Sequence, residues 1–543
     1  MRHKLFVVSV FIVLISSTIG GMVASKVLTN EQARQDQMKD FTAVLDTIES
    51  NYVERIPSPK VISGGINSLL HSLDPHSNFL DEEAYASLQE EQHGSFYGLG
   101  ITIQSINGIL TVISPIEGTP AYKAGLRAGD VISEIEGEPT KGKPTNLLLK
   151  KLRGPKGTKV TITVEREGFP DPMHFTLVRD EIPVNSISYS FMIRPGIGYV
   201  RIKNFTETTS RELDQALHTL RENGMKSLIV DLRFNTGGLL DQAIKVSDEF
   251  LEKGAVVVST KGRISEANTV YKCPETNDYE DMPLVVLVNR SSASASEIVA
   301  GAIQDHDRGI IVGTTTWGKG LVQSLYRLSA NTALALTTAR YYTPSGRLIQ
   351  RDYSRSMYDY YYTDIGVDEN QEHREKAYTT TGREVYGGGG ITPDVKVDSV
   401  QQTKFMDLLN SEYVFFNFAK RFSAADERKV QAVDASNEPR PTSLHVIDKN
   451  FKVDDEVMQD FTGFLDKSKI SYTDKDLQDN LPQIKAQIRQ EVFGAIWGSE
   501  EGYKVASDQD PQVLKALELL PKAEALLKSR KEKLASAALN SKK

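Results

Sequence analysis

A single cysteine, Cys273, stands among 543 residues, so no disulfide can form within the chain, and one thiol says little about compartment. The nine histidines are scattered, with no HExxH pair and no Cys/His cluster, which argues against zinc or another metal. No G-x-S-x-G occurs anywhere, and a Ser-His-Asp hydrolase of the usual α/β type needs that phrase at its nucleophile. There is no strongly basic domain either. The net charge is -8, so the composition gives no sign of nucleic-acid binding. What is present is a chain 39% hydrophobic and 25% charged. It can bury several cores, and its length suggests about three or four domains.

Arg2, His3 and Lys4 precede an uncharged apolar stretch from Leu5 to Val23, followed by Ala24, Ser25 and Lys26. Basic residues before an apolar run of this length mark a secretory signal or a single membrane anchor, and the length lies on the boundary between the two. Met22-Val23-Ala24 is only a fair small-x-small site, so the sequence leaves cleavage undecided. In both cases the remaining chain is expected to be exported, to a bacterial periplasm or the outer face of the cytoplasmic membrane. An uncleaved segment would tether it to that membrane.

The chemistry gathers between Ser291 and Gln323. Pro283 to Asn289, PLVVLVN, is an apolar run of strand length, the pattern of a strand buried on both faces of a parallel sheet. Serine and alanine crowd where that strand turns into a helix from Glu297 to Gln304, so free N–H groups at the helix start can face an anion. A serine there stands beside a ready-made oxyanion site. Its hydroxyl is a poor nucleophile until a base takes the proton, and a lysine can do so only when desolvation lowers its pKa. Lys319 suits the role, because Gly318 and Gly320 let the backbone approach closely, behind Ile310-Ile311-Val312 and beside Trp317. An isolated GKG is more often a surface lysine in a glycine turn. Gly313 to Lys319 also nearly spells the phosphate-binding GxxxxGK[ST], but Gly320 replaces the hydroxyl residue that would hold magnesium.

SASASE at 292–297, Gln304-Asp305, Arg308, Val312-Gly313 and Gly318-Lys319-Gly320-x-Val322-Gln323 resemble the carboxy-terminal processing (tail-specific) peptidases in residue types and in spacing. The resemblance implies that Ser294 is the nucleophile and that Gln323 orients Lys319, the general base and then the acid toward the leaving amine. Ser292 and Ser296 are then turn formers or helix caps. Asp231-Leu-Arg-Phe-Asn-Thr-Gly-Gly238 is similar to the family phrase D-x-R-x-N-x-G-G, with Thr236 where members often carry proline. Two glycines open the next helix there, and Gly237 or Gly238, with the N–H of Ala295, is expected to form the oxyanion hole.

Tyr97-Gly98-Leu99-Gly100-Ile101, the apolar Leu110 to Ile113, and Ser114-Pro115-x4-Pro120-Ala121-x2-Ala124-Gly125-Leu126-x2-Gly129-Asp130-x-Ile132 look like a PDZ domain. In such a domain a peptide adds as an extra strand at a sheet edge, while N–H groups of a glycine-containing loop take its terminal carboxylate. Tyr97, Gly98, Leu99, Gly100 and Ile101 are expected to form that loop, and the partners are protein or peptide substrates with free C-termini.

From Ile197 strands and helices alternate, which predicts an α/β core with a mainly parallel sheet. The resemblance adds ClpP/crotonase-like strand–helix layers with the PDZ β-domain inserted. Met38, Phe41, Leu45, Ile48 and Tyr52, then Val61 to Leu73, predict two N-terminal helices, with Asp74 and His76 as turn residues after them. A tyrosine-rich stretch from Arg351 to Tyr386 departs from the family as an insertion, and the resemblance ends near residue 400. Beyond it the periodicity predicts helices over Phe405 to Phe422, Asp454 to Leu465, Asp476 to Trp497 and Pro511 to Leu527. Oligomerisation, including a homo-oligomer, substrate tethering and restraint of the active site are all open to this extension. The expected domains are a signal or anchor (1–25), a helical region (26–90), a PDZ domain (91–170), a peptidase domain (171–400) and a helical extension (401–543).

The expected function is an exported serine endopeptidase that works through an acyl-enzyme with a Ser-Lys dyad and no metal or organic cofactor. Two other classes stand beside it, a PDZ scaffold with an inactive peptidase domain and a hydrolase of cell-wall peptides that shares the core.

Overall fold

The computed structural model describes residues 32–106, 108–166, 169–354, 356–362, 374–422 and 447–540. The expected signal or anchor lies outside the described residues, as does the stretch 432–443, where gathered Asn, Pro and Ser predict a break in the helical extension. Among the described residues no helix is long and apolar enough to cross a membrane. The chain divides into two units, Met1–Asp81 and Glu82–Lys543. Within the first, helices span 32–51 and Ser58–His71, followed by the strand Asn78–Leu80. Asp74 closes the turn between them, its carboxylate accepting from His76 N (2.8 Å), Ser77 N (2.9 Å) and Ser77 Oγ (2.6 Å).

The second unit opens with the helix Glu82–His93 and strand β1 (Ser95–Gly98). A sheet follows whose strands pair in the order β2 (Ile101–Ile106), β3 (Ile109–Pro115), β4 (Val131–Ile135), β5 (Lys159–Glu165) and β6 (Met173–Val178), and among the described residues no strand pairs with the outer edge of β2. Leu148 and Leu152 of helix α1 (Thr145–Leu152) pack into its core with Val112, Ile132 and Ile162. The chain leaves through β7 (Asp180–Pro183), which pairs antiparallel with β1, so a two-strand ribbon carries this β-domain.

A six-stranded sheet comes next, in the order β8 (Ile187–Arg194), β9 (Ile197–Ile202), β10 (Ser227–Asp231), β13 (Leu284–Val288), β14 (Ile310–Gly313) and β17 (Val395–Lys396). Helices α2 (Thr209–Glu222), α3 (Leu240–Asp248) and α4 (Ala295–Asp305) follow β9, β10 and β13. Alternate strand residues face opposite cores. Val200, Leu228, Val230, Val286 and Ile311 pack with Leu213, Val246 and Ile298 of these helices. Tyr199, Ile229, Val285, Leu287 and Val312 pack instead with Val513, Ala516 and Leu520, far along the chain.

The expectation of a mainly parallel sheet does not hold for the chain as a whole. Parallel ladders join β9 to β10, β10 to β13, β13 to β14 and β14 to β17, but β8 is antiparallel and so are the other sheets. Strands β11 (Val256–Gly262), β12 (Thr269–Lys272), β15 (Leu321–Arg327) and β16 (Ala333–Tyr342) form an antiparallel layer beside the first sheet. The reason is connection length: short turns reverse direction, and only a crossover such as a helix returns the chain parallel.

After helix α5 (Met357–Tyr362), the C-terminal extension holds α6 (Lys404–Ser411), a helix over 414–422, α7 (Asp455–Lys467), α8 (Asp474–Trp497), α9 (Ser499–Ser507) and α10 (Pro511–Asn540). The single helix expected over Phe405 to Phe422 is broken at Tyr413, whose φ is 53°, outside the range a helix allows. Its pieces share a separate core with α7 and α8, built on Phe405, Phe415, Phe418, Phe461 and Ile488. The last helix runs on past Leu527, with Leu519, Leu520 and Ala523 on the buried side.

Just past α3, burial together with Asp214, Asp248 and Glu275 pushes the Glu249 carboxyl up to about 7. The folded chain therefore binds more protons than the unfolded one between roughly pH 4.5 and 7, and stability declines as pH rises through that window. Glu249→Gln is expected to raise the melting temperature at pH 8 and to leave it unchanged at pH 4. Equal melting temperatures for the two chains at pH 8 would show that Glu249 ionises normally.

Candidate active site

Three loops leave neighbouring parallel strands at their carboxyl ends, where open α/β sheets place their chemistry. They follow β10, β13 and β14. The loop after β13 turns directly into α4, and its Ser294 has φ 55° and ψ -112°. A residue with a Cβ in that conformation is strained by about 1–3 kcal/mol, and such strain persists where the surroundings over-determine it. The neighbouring serines supply part of that restraint. Ser292 is fully buried, with Oγ donating to Leu232 O (2.8 Å) and accepting from Asn289 N (3.0 Å). Ser296 is fully buried too, and its Oγ donates to Asn235 O (2.9 Å). Ser294, between them, is half-buried.

The carboxylate of Glu297, wholly buried in the first turn of α4, joins two of these loops. Oε2 accepts from Ser294 N (2.8 Å) and from Lys319 N (2.8 Å), so the two backbone nitrogens lie no further apart than twice that distance. Oε1 accepts from Gly318 N (2.6 Å) and Thr316 Oγ1 (2.5 Å). Burial pushes this carboxyl up from its ordinary value, against the four donors. With a donor pair on each oxygen, the charged form is the one that fits. Sequence reasoning gave Glu297 no role, although Ser294-x-x-Glu297 is the spacing of a capping box.

Lys319 is half-buried on the segment between β14 and β15. Gly318 has φ 88°, and a methyl there would come within 2.9 Å of Gly390 N and 3.0 Å of Arg351 Cβ, so only glycine lets these backbones close around the lysine. Trp317 N donates to Ser292 O (2.9 Å), a second tie between the lysine and serine loops. A described residue of the tyrosine-rich stretch packs here as well. Tyr360 of α5 is buried and accepts from Trp317 Nε1 (3.3 Å). Gln323 lies in β15, where Nε2 donates to Thr337 Oγ1 (3.3 Å) across the β15–β16 pair.

The loop after β10 is held against the serine turn at several points. Asn235 O accepts from Ala293 N (3.0 Å), and Phe234 N donates to Asn289 Oδ1 (2.9 Å). A methyl on Gly237 would lie 2.8 Å from Ser294 Cβ and 3.1 Å from Ala295 N, with φ at 105°. Its N–H donates to Asn235 Oδ1 (2.8 Å). Gly238 packs instead on Phe205, whose carbonyl a methyl would strike at 2.1 Å, and no acceptor among the described residues takes its N–H. At the head of the loop Asp231 is fully buried. Burial would raise its carboxyl, but Arg233's charge and the hydrogen bonds from Arg233 and Tyr199 hold it below the usual range.

The loop expected to capture a carboxylate is shorter than the sequence suggested. Tyr97 and Gly98 belong to β1 and pair with Glu181 and Asp180 of β7, because the ribbon that carries the domain needs them, and Ile101 already belongs to β2. Only Leu99 and Gly100 turn. Their carbonyls accept from Ala121 N (3.0 Å) and Ile116 N (2.8 Å), while no acceptor among the described residues takes their N–H groups.

Compared with known proteins, residues 196–355 match the sequence profile of peptidase family S41 and residues 111–166 that of a PDZ domain. A carboxy-terminal-processing protease of Bartonella bacilliformis is 42% identical over 349 residues, 64% of this chain and 79% of that protein. The carboxy-terminal processing protease CtpA of Bacillus subtilis is 34% identical over 350 residues, covering 63% and 74%. Among solved structures, a photosystem II D1 C-terminal processing protease shares 28% identity over 66% of this chain and 92% of its own, with a TM-score of 0.35.

Two substitutions test the restraint on the serine. Glu297→Gln keeps the shape but turns an NH2 group toward a backbone N–H, and a buried unsatisfied donor costs about 1–3 kcal/mol. A fall in melting temperature and a loss of proteolysis are expected together, measured by thermal denaturation and casein cleavage. Gly237→Ala is expected to abolish cleavage, and a fully active alanine variant would show that the contact with Ser294 relaxes freely.

Proposed function

This chain belongs to peptidase family S41 as a serine-type carboxy-terminal-processing protease with a PDZ domain, and we propose that Ser294 is its nucleophile and Lys319 its general base. Ser294 Oγ attacks the scissile carbonyl as Lys319 takes the proton, and the tetrahedral intermediate collapses to an acyl-enzyme while the lysine returns the proton to the leaving amine. Water then repeats the sequence and frees the acid. The observation that carries this reading is the Glu297 carboxylate, which holds the backbones of both residues on one oxygen. The left-handed backbone of Ser294 lends support, since such outliers concentrate at reactive centres.

The developing oxyanion is received by Ala295 N–H, a donor at the helix start that α4 itself does not use. Gly238 N–H is the second donor in this reading, because that of Gly237 is committed to Asn235. Gln323 orients the lysine from β15. The PDZ domain feeds the site: a substrate's last residues add to the outer edge of β2, and the N–H groups of Leu99 and Gly100 take its terminal carboxylate. Capture of a chain end explains cleavage near C-termini, and export would place the enzyme among polypeptides outside the cytoplasm.

Cleavage of an unfolded protein by the chain from Lys26 onward is expected to vanish in both Ser294→Ala and Lys319→Ala. Retained activity in Ser294→Ala would overturn the nucleophile assignment. Amidating a peptide substrate's C-terminus is expected to lower kcat/KM by about tenfold or more, the loss of roughly one charge-assisted hydrogen-bond set. Equal rates for free and amidated peptides would remove end capture from the mechanism.

A further inference from the structure

Helices α9 and α10 lie outside the stretches matched by the S41 and PDZ profiles, yet they supply the partners of a residue at the head of the catalytic loop. Arg233 leaves the end of β10 with its side chain almost wholly buried. One edge of its guanidinium grips Asp231, with Nε 3.0 Å from both oxygens and an NH2 group 2.7 Å from Oδ2. The other NH2 group donates to Asp510 Oδ2 (2.7 Å) and to Gln512 Oε1 (2.8 Å) at the start of α10.

Both distant partners are themselves fixed. Asp510 caps α10, its Oδ1 accepting from Gln512 N (2.9 Å) and Val513 N (3.2 Å), which turns Oδ2 toward the arginine. Gln512 Nε2 donates to Val397 O (2.7 Å), which turns its carbonyl the same way. Tyr503 of α9 reaches the same cluster, with its hydroxyl 3.1 Å from that of Tyr199 and 3.4 Å from Asp231 Oδ2, and its ring stacked on Tyr189 at 4.2 Å.

We propose that Tyr503, Asp510 and Gln512 are positioning residues of the catalytic centre: by gripping Arg233 and Asp231 they hold the 231–238 loop against the nucleophile turn. The path is contiguous. Phe234 N bonds Asn289, Asn235 O takes Ala293 N and Ser296 Oγ, and Gly237 then abuts Ser294. An arginine deprived of two acceptors stays buried with an unsatisfied group, so it must shift or draw its loop with it. The proposal rests on Ser294 being the nucleophile.

The test uses the full chain and three variants, Asp510→Asn, Gln512→Leu and Tyr503→Phe. Asn still caps the helix, and Phe keeps the stacked ring while losing one hydroxyl. The readouts are kcat, KM, the rate of Ser294 acylation by a fluorophosphonate probe, and melting temperature. Acylation and kcat are expected to fall roughly 10- to 100-fold, the effect of a displacement on the order of 1 Å, with KM changed less than about twofold. Lys515→Ala, a half-buried residue of α10 paired with Glu518, is expected to match the parent. Parent-like acylation in Asp510→Asn and Tyr503→Phe would overturn the proposal, as would a KM effect alone. Labelling that survives Ser294→Ala would instead overturn the nucleophile assignment, and this inference with it.

Discussion

Glu297 is buried and carries two donors on each carboxylate oxygen, and the backbone around it has little choice of conformation as a result. An ionised carboxylate in an apolar interior is tolerable only when its lone pairs are filled. Ser294, Gly318 and Lys319 must therefore present their N–H groups inward, and Ser294 adopts a left-handed backbone to do so. Strain at the serine and burial of the acid are two sides of one arrangement. The energy that would relax the turn is smaller than the cost of stripping hydrogen bonds from the charge, so the Ser294 loop and the Lys319 loop stay together.

The root of the PDZ ribbon attaches to a segment that also touches the loop after β10. Val184 N donates to Gly94 O and Glu207 N to Gln92 O, while Phe205 N donates to Gly237 O and Leu239 N to Phe205 O. Gly94 presses on Thr206, where a methyl would lie 2.8 Å from Oγ1. The segment from Phe205 to Glu207 is thus shared by the PDZ domain's ribbon and the loop that faces Ser294. Placement of the one and geometry of the other are coupled through a few backbone bonds.

Much of this was legible in the sequence, for reasons that differ by element. The run LVVLV and the alternation of strand and helix after Ile197 follow from burial on both faces, and residue type and spacing single out the serine, the lysine and the double glycine, whose loops the structure places side by side. Glu297 was passed over because a glutamate near a helix start is usually a solvated cap, and only tertiary structure buries it. Tyr97 and Gly98 misled because glycine beside an aromatic suits both a loop and an edge ribbon. Nothing local distinguishes Asp510 and Gln512 from ordinary capping residues; their partner lies 277 and 279 positions away.

The need for such a distant partner was nevertheless implicit in the strands. β9, β10, β13 and β14 follow one another across the sheet in chain order, and parallel crossovers are right-handed. Crossovers that all advance in one direction leave their helices on one face, as α2, α3 and α4 do. Yet the strands are apolar at successive positions, which no single-sided packing would reward. A second layer must cover Tyr199, Ile229, Val285 and Leu287, each side chain contributing about 1.5–3 kcal/mol when buried, and α10 is that layer. Once the last helix lies across the sheet, its start falls beside the strand ends where the loops after β10, β13 and β14 begin. The grip of Asp510 and Gln512 on Arg233 is then a consequence of covering the core.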